Sequence, residues 1–156
     1  MRGKQAPKRD LQPDPKFNND QVAKFINYIM KDGKKSVAQK VVYDAFEVIS
    51  NKTKQDALEV FDKAIKNISP ALEVRGKRIG GANYQIPYPV RTERKFTLAS
   101  RWLIAAAKNR KGRAMAEKLA FEIMDAAEEQ GEAYKKKVDT HKMAEANRAF
   151  AHFARF

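Results

Sequence analysis

Residues 72–95 read Leu-Glu-Val-Arg-Gly-Lys-Arg-Ile-Gly-Gly-Ala-Asn-Tyr-Gln-Ile-Pro-Tyr-Pro-Val-Arg-Thr-Glu-Arg-Lys. Apolar and charged side chains alternate at 72–75, and at 83–90 large apolar or aromatic side chains alternate with Asn, Gln and Pro. This alternation has the period of a β-strand. Gly80 and Gly81 lie between these runs and provide the backbone freedom that a tight hairpin turn needs. The stretch therefore predicts a two-stranded β-ribbon at 72–90, and it decides the fold because no other part of the chain shows this pattern.

The ribbon is expected to stand alone as a sheet. Pro87 and Pro89 lie two residues apart, so both missing N–H donors fall on one edge, where no further strand can pair regularly. An isolated two-stranded ribbon is marginal in water and needs a body or a partner to hold it. The ribbon and the residues after it carry six cations against two acids, which favours a nucleic-acid partner. The six are Arg75, Lys77, Arg78, Arg91, Arg94 and Lys95.

The sequence on both sides of the ribbon follows the period of amphipathic helices. Three helices are predicted before it. The first runs from Asn19 or Asp20 to 32–33 and the second from Ser36 to 50–51. The third ends before Pro70, because the residue that precedes a proline is disfavoured in a helix. Three more are predicted after it, the fourth from Thr92, the fifth closed by Gly131, and the sixth from Glu132 to about Phe150. The predicted fold is mainly α, a bundle of about six helices with a β-ribbon protruding between helices 3 and 4.

The chain length of 156 residues fits one domain. Residues 1–16 hold three prolines and few apolar side chains, so we expect a basic extended arm that orders on nucleic acid, with a frayed terminus as the alternative. Residues 17–156 are predicted to form a single helical domain that carries the ribbon.

The fourth helix places its cations on one face. Arg94, Arg101 and Lys108 recur every seven residues, and a step of seven drifts only ~20° around a helix. The ribbon leads directly into this helix, so the two elements are expected to form one basic surface.

Further cations outside the ribbon and this helix are candidate RNA contacts because the net charge is +13 and basic residues are clustered. They lie in the N-terminal arm, in two turns and in the last helix: Arg2, Lys4, Lys8, Arg9, Lys34, Lys35, Arg110, Lys111, Arg113 and Lys142. A group of acids near the end of the fifth helix would repel phosphates and is expected to lie away from this surface.

Aromatic side chains on the ribbon and the tail have two open interpretations. Phe150, Phe153 and Phe156 can pack on the body or a neighbouring protein, or can stack on bases. Tyr84 and Tyr88 are open to the same two roles, because a thin ribbon offers little core to cover them.

Several classes of function are excluded or disfavoured. The chain has no cysteine and two histidines, so thiolate chemistry is excluded and no nucleophile, acid–base pair or metal set stands at a workable spacing. His141 and Glu145 are read as a hydrogen-bonded surface pair, not a metal site. No apolar run reaches the ~18–20 residues of a membrane span. We predict that the protein is not an enzyme, has no cofactor, metal, membrane or small-molecule partner, and is cytoplasmic.

Longer motifs carry a resemblance to a known family. They are Asp32-Gly-Lys-Lys35, Leu72-Glu-Val-Arg75 with Arg78-Ile-Gly-Gly-Ala-Asn-Tyr-Gln-Ile-Pro87, Arg101-Trp102, and Thr140-His-Lys-Met-Ala-Glu-Ala-Asn-Arg-Ala-Phe-Ala-His152. On these motifs the chain resembles small-subunit ribosomal protein seven, of the bacterial type, over nearly its full length.

The resemblance implies a structural role in the small ribosomal subunit. It implies binding to the lower part of the 3′ major domain of small-subunit ribosomal RNA and a part in initiating assembly of the subunit head. It also implies that Arg78, Gly80, Gly81, Tyr84 and Arg148 lie near the exit-site tRNA or the mRNA, with the ninth and eleventh small-subunit proteins as neighbours. The alternatives are a DNA-bending architectural protein with basic β-arms and an RNA-modifying enzyme.

Overall fold

A computed structural model describes Gly3 and residues 10–155, and it gives side-chain detail for these residues up to Phe153. The described residues form six α-helices, one 3-10 helix and one antiparallel pair of strands. In chain order they are α1 (Asp20–Ile29), α2 (Lys35–Thr53), α3 (Ala57–Ile68), β1 (Leu72–Ile79), β2 (Ala82–Pro89), α4 (Thr92–Asn109), α5 (Met115–Ala127), α6 (Gly131–Ala146) and the C-terminal 3-10 helix (Arg148–Arg155). The predicted fold class, a helical bundle with a ribbon between helices 3 and 4, is confirmed.

The chain divides into two compact units between Lys40 and Val41, within α2. In the first unit, the side chain of Asn19 caps α1 by accepting hydrogen bonds from the backbone N–H groups of residues 21 and 22. The apolar side chains at Val22, Phe25 and Ile26 of α1 are buried. The amphipathic pattern of the sequence therefore predicted the correct face of this helix.

The second unit, residues 41–156, has its own apolar core. Phe46 of α2 and Phe61 of α3 are buried with their ring centroids 5.6 Å apart. Leu103 of α4 and Ile123 of α5 are also fully buried. Helices α3, α4, α5 and α6 pack on one another in this unit, and they form the body that carries the ribbon.

The ribbon pairs Leu72 with Pro89 at its base and Ile79 with Ala82 at its tip. Gly80 and Gly81 form the two-residue turn with φ values of +57° and +90°, and positive φ at both positions is the requirement of a type I′ turn. The sheet of the described residues has these two strands and no third, as the proline spacing predicted.

The body holds the ribbon at its base and along one side. The Ala71 N–H donates to Nε2 of His141 on α6 at 3.0 Å, and Ile86 of β2 is fully buried. The C-terminal 3-10 helix lies against β2, where the ring of Tyr84 meets Phe150 at 5.1 Å and Phe153 at 5.7 Å between centroids. These contacts supply the support that an isolated ribbon lacks.

The predicted end of the sixth helix is wrong. The sixth helix ends at Ala146, well before Phe150, and a 3-10 helix follows. Asn147 donates through its side-chain amide to the Met143 carbonyl at 2.8 Å, a local bond that competes with continued α-helix. Phe150 and Phe153 of this 3-10 helix lie on the ring of Tyr84.

His141 and Glu145 do not form the expected pair, because His141 accepts from Ala71 whereas Glu145 faces Arg148 at 3.4 Å. Within residues 10–155, no group of three or more His, Asp or Glu side chains is placed to hold a metal ion. Over the same residues, none of the helices is both long and apolar enough to cross a membrane.

Candidate nucleic-acid interface

A cleft at the base of the ribbon is lined by three arginines and one buried carboxylate. We define the ribbon-base cleft by Glu73, Arg75, Tyr88, Arg91 and Arg94; it encloses about 610 Å³. Strand β1 provides Glu73 and Arg75 on one face, since residues two apart in a strand point to the same side. Arg91 and Arg94 come from the start of α4, where the chain leaves the ribbon.

Glu73 orients two of these arginines. Its side chain is almost entirely buried, and its carboxylate accepts from Nε of Arg75 at 2.8 Å and from Nε of Arg94 at 3.3 Å. The Arg75 guanidinium also lies 5.4 Å from the centre of the Tyr88 ring. Both arginine side chains remain about half exposed, so their other N–H groups stay available to a ligand.

A row of cations continues from the cleft along α4. Arg101 and Lys108 are exposed, whereas Ala99, Leu103 and Ala107 of the same helix are buried. The structure therefore brings Arg94, Arg101 and Lys108 onto the solvent face of α4, in a row that begins in the ribbon-base cleft and runs toward the far end of the helix. Lys95, beside Arg94, is half-buried.

The ribbon tip presents a different surface. Arg78, Gly80 and Gly81 are exposed, and nothing lies within 4 Å of where a side chain at either glycine would start. Tyr84 is half-buried under Phe150 and Phe153, and the ammonium group of Lys77 lies 3.5 Å from the Phe153 carbonyl oxygen. Of the two open roles for these aromatic residues, packing is the one that the structure shows for Tyr84, Phe150 and Phe153.

Arg110 has a structural environment that sets it apart from the other candidates. Its guanidinium donates to the buried carboxylate of Glu122 at 2.7 Å and also bonds Asp125. Burial acts to lower the pKa of Arg110, but hydrogen bonds and charge from Asp125 and Glu122 outweigh it and raise that pKa. Arg110 is thus held in the fold, and two acids that were expected to repel phosphate are paired with it.

The remaining candidates fall into three groups. The first group is exposed and consists of Lys34 and Lys35 in the first unit and Lys111, Arg113 and Lys142 in the second unit. Arg148 is 79% exposed and only 3.4 Å from Glu145, an ion pair that solvent weakens. The predicted contacts Arg2, Lys4, Lys8 and Arg9 lie outside the described residues, as does Phe156.

Sequence reasoning missed two contacts that orient cationic side chains. Glu73 was counted only as a charge opposing the cations, although its position two residues before Arg75 in a strand was a signal that the two side chains meet. The contact of Lys52 with Phe121, at 3.8 Å from ammonium to ring centre, had no signal, because the two residues are far apart in the chain.

Comparisons with known proteins give a consistent result. The family model described as "Ribosomal protein S7p/S5e" matches residues 1–148. A curated protein of Clostridium perfringens strain SM101, "Small ribosomal subunit protein uS7", is 59% identical over 146 residues, covering 94% of each chain. Proteins of the same description are similar in Acetivibrio thermocellus, at 58% over 147 residues and 94% of each chain, and in Nautilia profundicola, at 53% over 153 residues, 98% of this chain and 99% of the relative.

Proposed function

The chain belongs to the ribosomal protein S7p/S5e family, and from that premise we propose that it is a structural constituent of the small ribosomal subunit that binds ribosomal RNA through its ribbon and α4. Membership confirms the predictions of a ribosomal location and of a protein that is not an enzyme, because the family consists of ribosomal structural proteins. Its general partners are ribosomal RNA and other ribosomal proteins.

The ribbon-base cleft is the observation that carries this proposal. Three arginines converge on one cleft, and a single buried carboxylate holds two of them in place. Glu73 balances one positive charge, so the three arginines and Glu73 together keep a net charge of +2. A fixed guanidinium loses less conformational entropy on binding than a free one and offers paired donors to a phosphate.

The mechanism is scaffolding by charge neutralisation. Arginines of the cleft and cations of α4 contact RNA phosphates and release their counterions, which stabilises an RNA arrangement that the free RNA adopts poorly. Recognition depends mainly on RNA shape, since the deep groove of an A-form helix hides base edges from side chains. The rigid helical body keeps the cations at fixed separations.

We propose further that the RNA is the lower part of the 3′ major domain and that the protein helps initiate assembly of the subunit head. In this proposal Arg78, Gly80, Gly81, Tyr84 and Arg148 lie near the exit-site tRNA or the mRNA, and the ninth and eleventh small-subunit proteins are neighbours. The resemblance of the ribbon and C-terminal motifs supports these details. Residues 1–16 would order on RNA as an arm, and residues 17–156 would act as one domain.

Arg78 and Arg91 provide a direct test because both are exposed and no ion pair in the described residues holds either of them. The double variant R78Q/R91Q should weaken binding to a 3′ major-domain RNA fragment and make the slope of log affinity against log salt shallower by about 1–2. The control K135Q/K136Q removes the same charge from exposed positions on α6. Filter binding across a salt series measures the affinity and the salt slope of each double variant. Equal affinities for R78Q/R91Q and K135Q/K136Q would contradict the proposal.

The DNA-bending alternative is tested with the same wild-type protein. Competition between the ribosomal RNA fragment and duplex DNA at matched salt should favour RNA, because the proposed surface recognises RNA shape. Preference for DNA would support the alternative. Co-sedimentation of the tagged protein with small ribosomal subunits tests the assignment to that subunit. If the protein is absent from the small-subunit fraction, the assignment is contradicted.

A further inference from the structure

A second basic pocket lies at the opposite end of α4 from the ribbon-base cleft. It encloses about 320 Å³ and is lined by Arg110, Lys111, Arg113, Lys118 and Phe121. Lys52 of α2 reaches the same ring, with its ammonium group 3.8 Å from the ring centre, and the Arg113 guanidinium is 4.6 Å from that centre. We call these six residues the Phe121 pocket.

The charges of the Phe121 pocket are unbalanced in the free protein. Arg110 bonds two carboxylates, those of Glu122 and Asp125, and Arg113 meets Glu117 at 3.5 Å on an exposed surface. The five cations of the pocket therefore stand against three carboxylates, which leaves a net charge of +2. Among the described residues, no carboxylate forms an ion pair with Lys52, Lys111 or Lys118. Like charges held close together repel one another, so an anion that enters this space gains attraction from several cations at once.

Phe121 gives the pocket its organisation. A cation over an aromatic ring is attracted by the negative face of the ring, and here two cations from different elements, α2 and the α4–α5 turn, share one ring. The ring therefore restricts side chains that would otherwise move freely, which lowers the entropy cost of binding an anion. Phe121 acts as a positioning residue.

The start of α5 adds to the positive potential. Helix α5 begins at Met115, and its N-cap residue Ala114 provides no side-chain hydrogen bond to the first turn. The N–H groups of an uncapped first turn carry partial positive charge and favour anions. This turn directly follows Arg113 in the chain, and it also holds Glu117, whose carboxylate meets the Arg113 guanidinium.

We propose that the Phe121 pocket binds a backbone phosphate of the ribosomal RNA, at a site separate from the ribbon-base cleft. Helix α4 has 18 residues and is therefore about 27 Å long, with one site at each end and Arg101 and Lys108 between them. An RNA strand or groove edge following α4 would contact both sites. The inference rests on the proposed function, since it assigns a second contact to the same RNA.

Two kinds of variant test the pocket. K52Q/K118Q should weaken binding to the 3′ major-domain RNA fragment and make the salt slope shallower by about 1–2. F121L keeps the net charge and an apolar side chain, yet it should also weaken binding several-fold, because the two cations lose their shared ring. F121Y keeps an aromatic ring at this position and should bind RNA with near wild-type affinity. If binding depended on charge alone, F121L and F121Y would bind equally well. The charge-matched control is K135Q/K136Q.

The pattern of results separates this inference from the proposed function. If K52Q/K118Q and F121L bind like the control while R78Q/R91Q is weakened, the pocket inference is wrong and the proposed function stands. If none of the variants differs from the control, both are wrong. Thermal unfolding checks that each variant is folded. If F121L does not fold, K52Q/K118Q alone provides the test.

A free anion is the other source of the same chemistry. Inorganic phosphate, added at constant ionic strength, should raise the melting temperature of the wild type more than that of K52Q/K118Q. If phosphate does so while RNA affinity is unchanged in the pocket variants, the pocket takes a free anion and the assignment to RNA is overturned.

Discussion

Glu73 connects the stability of the ribbon to the binding surface. Its carboxylate is almost entirely buried and is satisfied by Arg75 and Arg94, which come from β1 and α4. Burying a charge is unfavourable unless it is paired. The two arginines therefore compensate a buried charge and also face solvent at the cleft, so a substitution at either affects folding and binding together.

Arg75→Ala should consequently destabilise the protein, although the sequence alone suggested that this arginine serves only RNA. Loss of one partner leaves Glu73 with Arg94 at 3.3 Å, and because Arg75 is itself mostly exposed we expect a loss of about 1 kcal/mol in the free energy of unfolding. Urea denaturation measures it. Arg78→Ala is the matched control, with an expected change within about 0.5 kcal/mol; an equal effect of the two would rule out the role of Glu73.

His141 introduces a pH dependence at the base of the ribbon. Burial, with a smaller effect from the charge of Lys137, lowers the pKa of His141 below its ordinary value of 6.5. Its unprotonated Nε2 accepts the Ala71 N–H. In the unfolded chain His141 binds a proton more readily, so the stability that it contributes is present above pH 6.5 and is lost as the pH falls from there through the lowered pKa.

We therefore expect the free energy of unfolding to decrease between pH 7.5 and pH 5.5, and to decrease less in H141Q, whose amide oxygen can accept the same bond without titrating. Urea denaturation at the two pH values gives the comparison, and an NMR titration of the imidazole gives the pKa directly. A pKa at or above 6.5 in the folded protein would exclude this explanation.

The ribbon depends on the two glycines of its turn. Gly80 and Gly81 both have positive φ, where a residue with a Cβ atom is strained by roughly 1–2 kcal/mol. The space around both glycines is open, so strain in the backbone, not a steric clash, limits substitution here.

Gly81→Val should loosen the ribbon, whereas Gly80→Asn should be tolerated, because asparagine adopts positive φ readily and is common in type I′ turns. A local cost of roughly 1–2 kcal/mol corresponds to a roughly 5- to 30-fold loss of protection from amide hydrogen exchange in β1 and β2. Hydrogen exchange read by NMR measures this, with the helices as the internal reference. Equal protection in both variants would show that the turn does not limit ribbon stability.

The charge of the whole molecule suits a polyanionic partner. Its net charge of +13 opposes compaction of the free protein through self-repulsion and favours association with RNA. The amphipathic helices of the second unit compensate by burying their apolar faces in a shared core, which leaves most cations exposed.

Binding to the RNA fragment should therefore depend steeply on salt. With about six phosphate contacts, affinity should fall roughly 1,000-fold between 50 and 200 mM monovalent salt. Fluorescence anisotropy over that range measures the slope, and a variant that lacks residues 1–16 shows what share belongs to the arm. An affinity that did not vary with salt would contradict the electrostatic mechanism.

The amino-acid sequence by itself determined the fold class, the ribbon with its Gly80-Gly81 turn, and the exposed basic face of α4. These follow from local rules: the period of apolar residues, the backbone freedom of glycine, and the seven-residue spacing of Arg94, Arg101 and Lys108. Only the tertiary structure decided that Arg75 and Arg94 share Glu73, that Arg110 is bound to Glu122, and that Lys52 and Arg113 both contact the Phe121 ring. The reason is physical: such contacts join side chains from different elements, and their free energy depends on distance and burial, which no local pattern in the chain specifies.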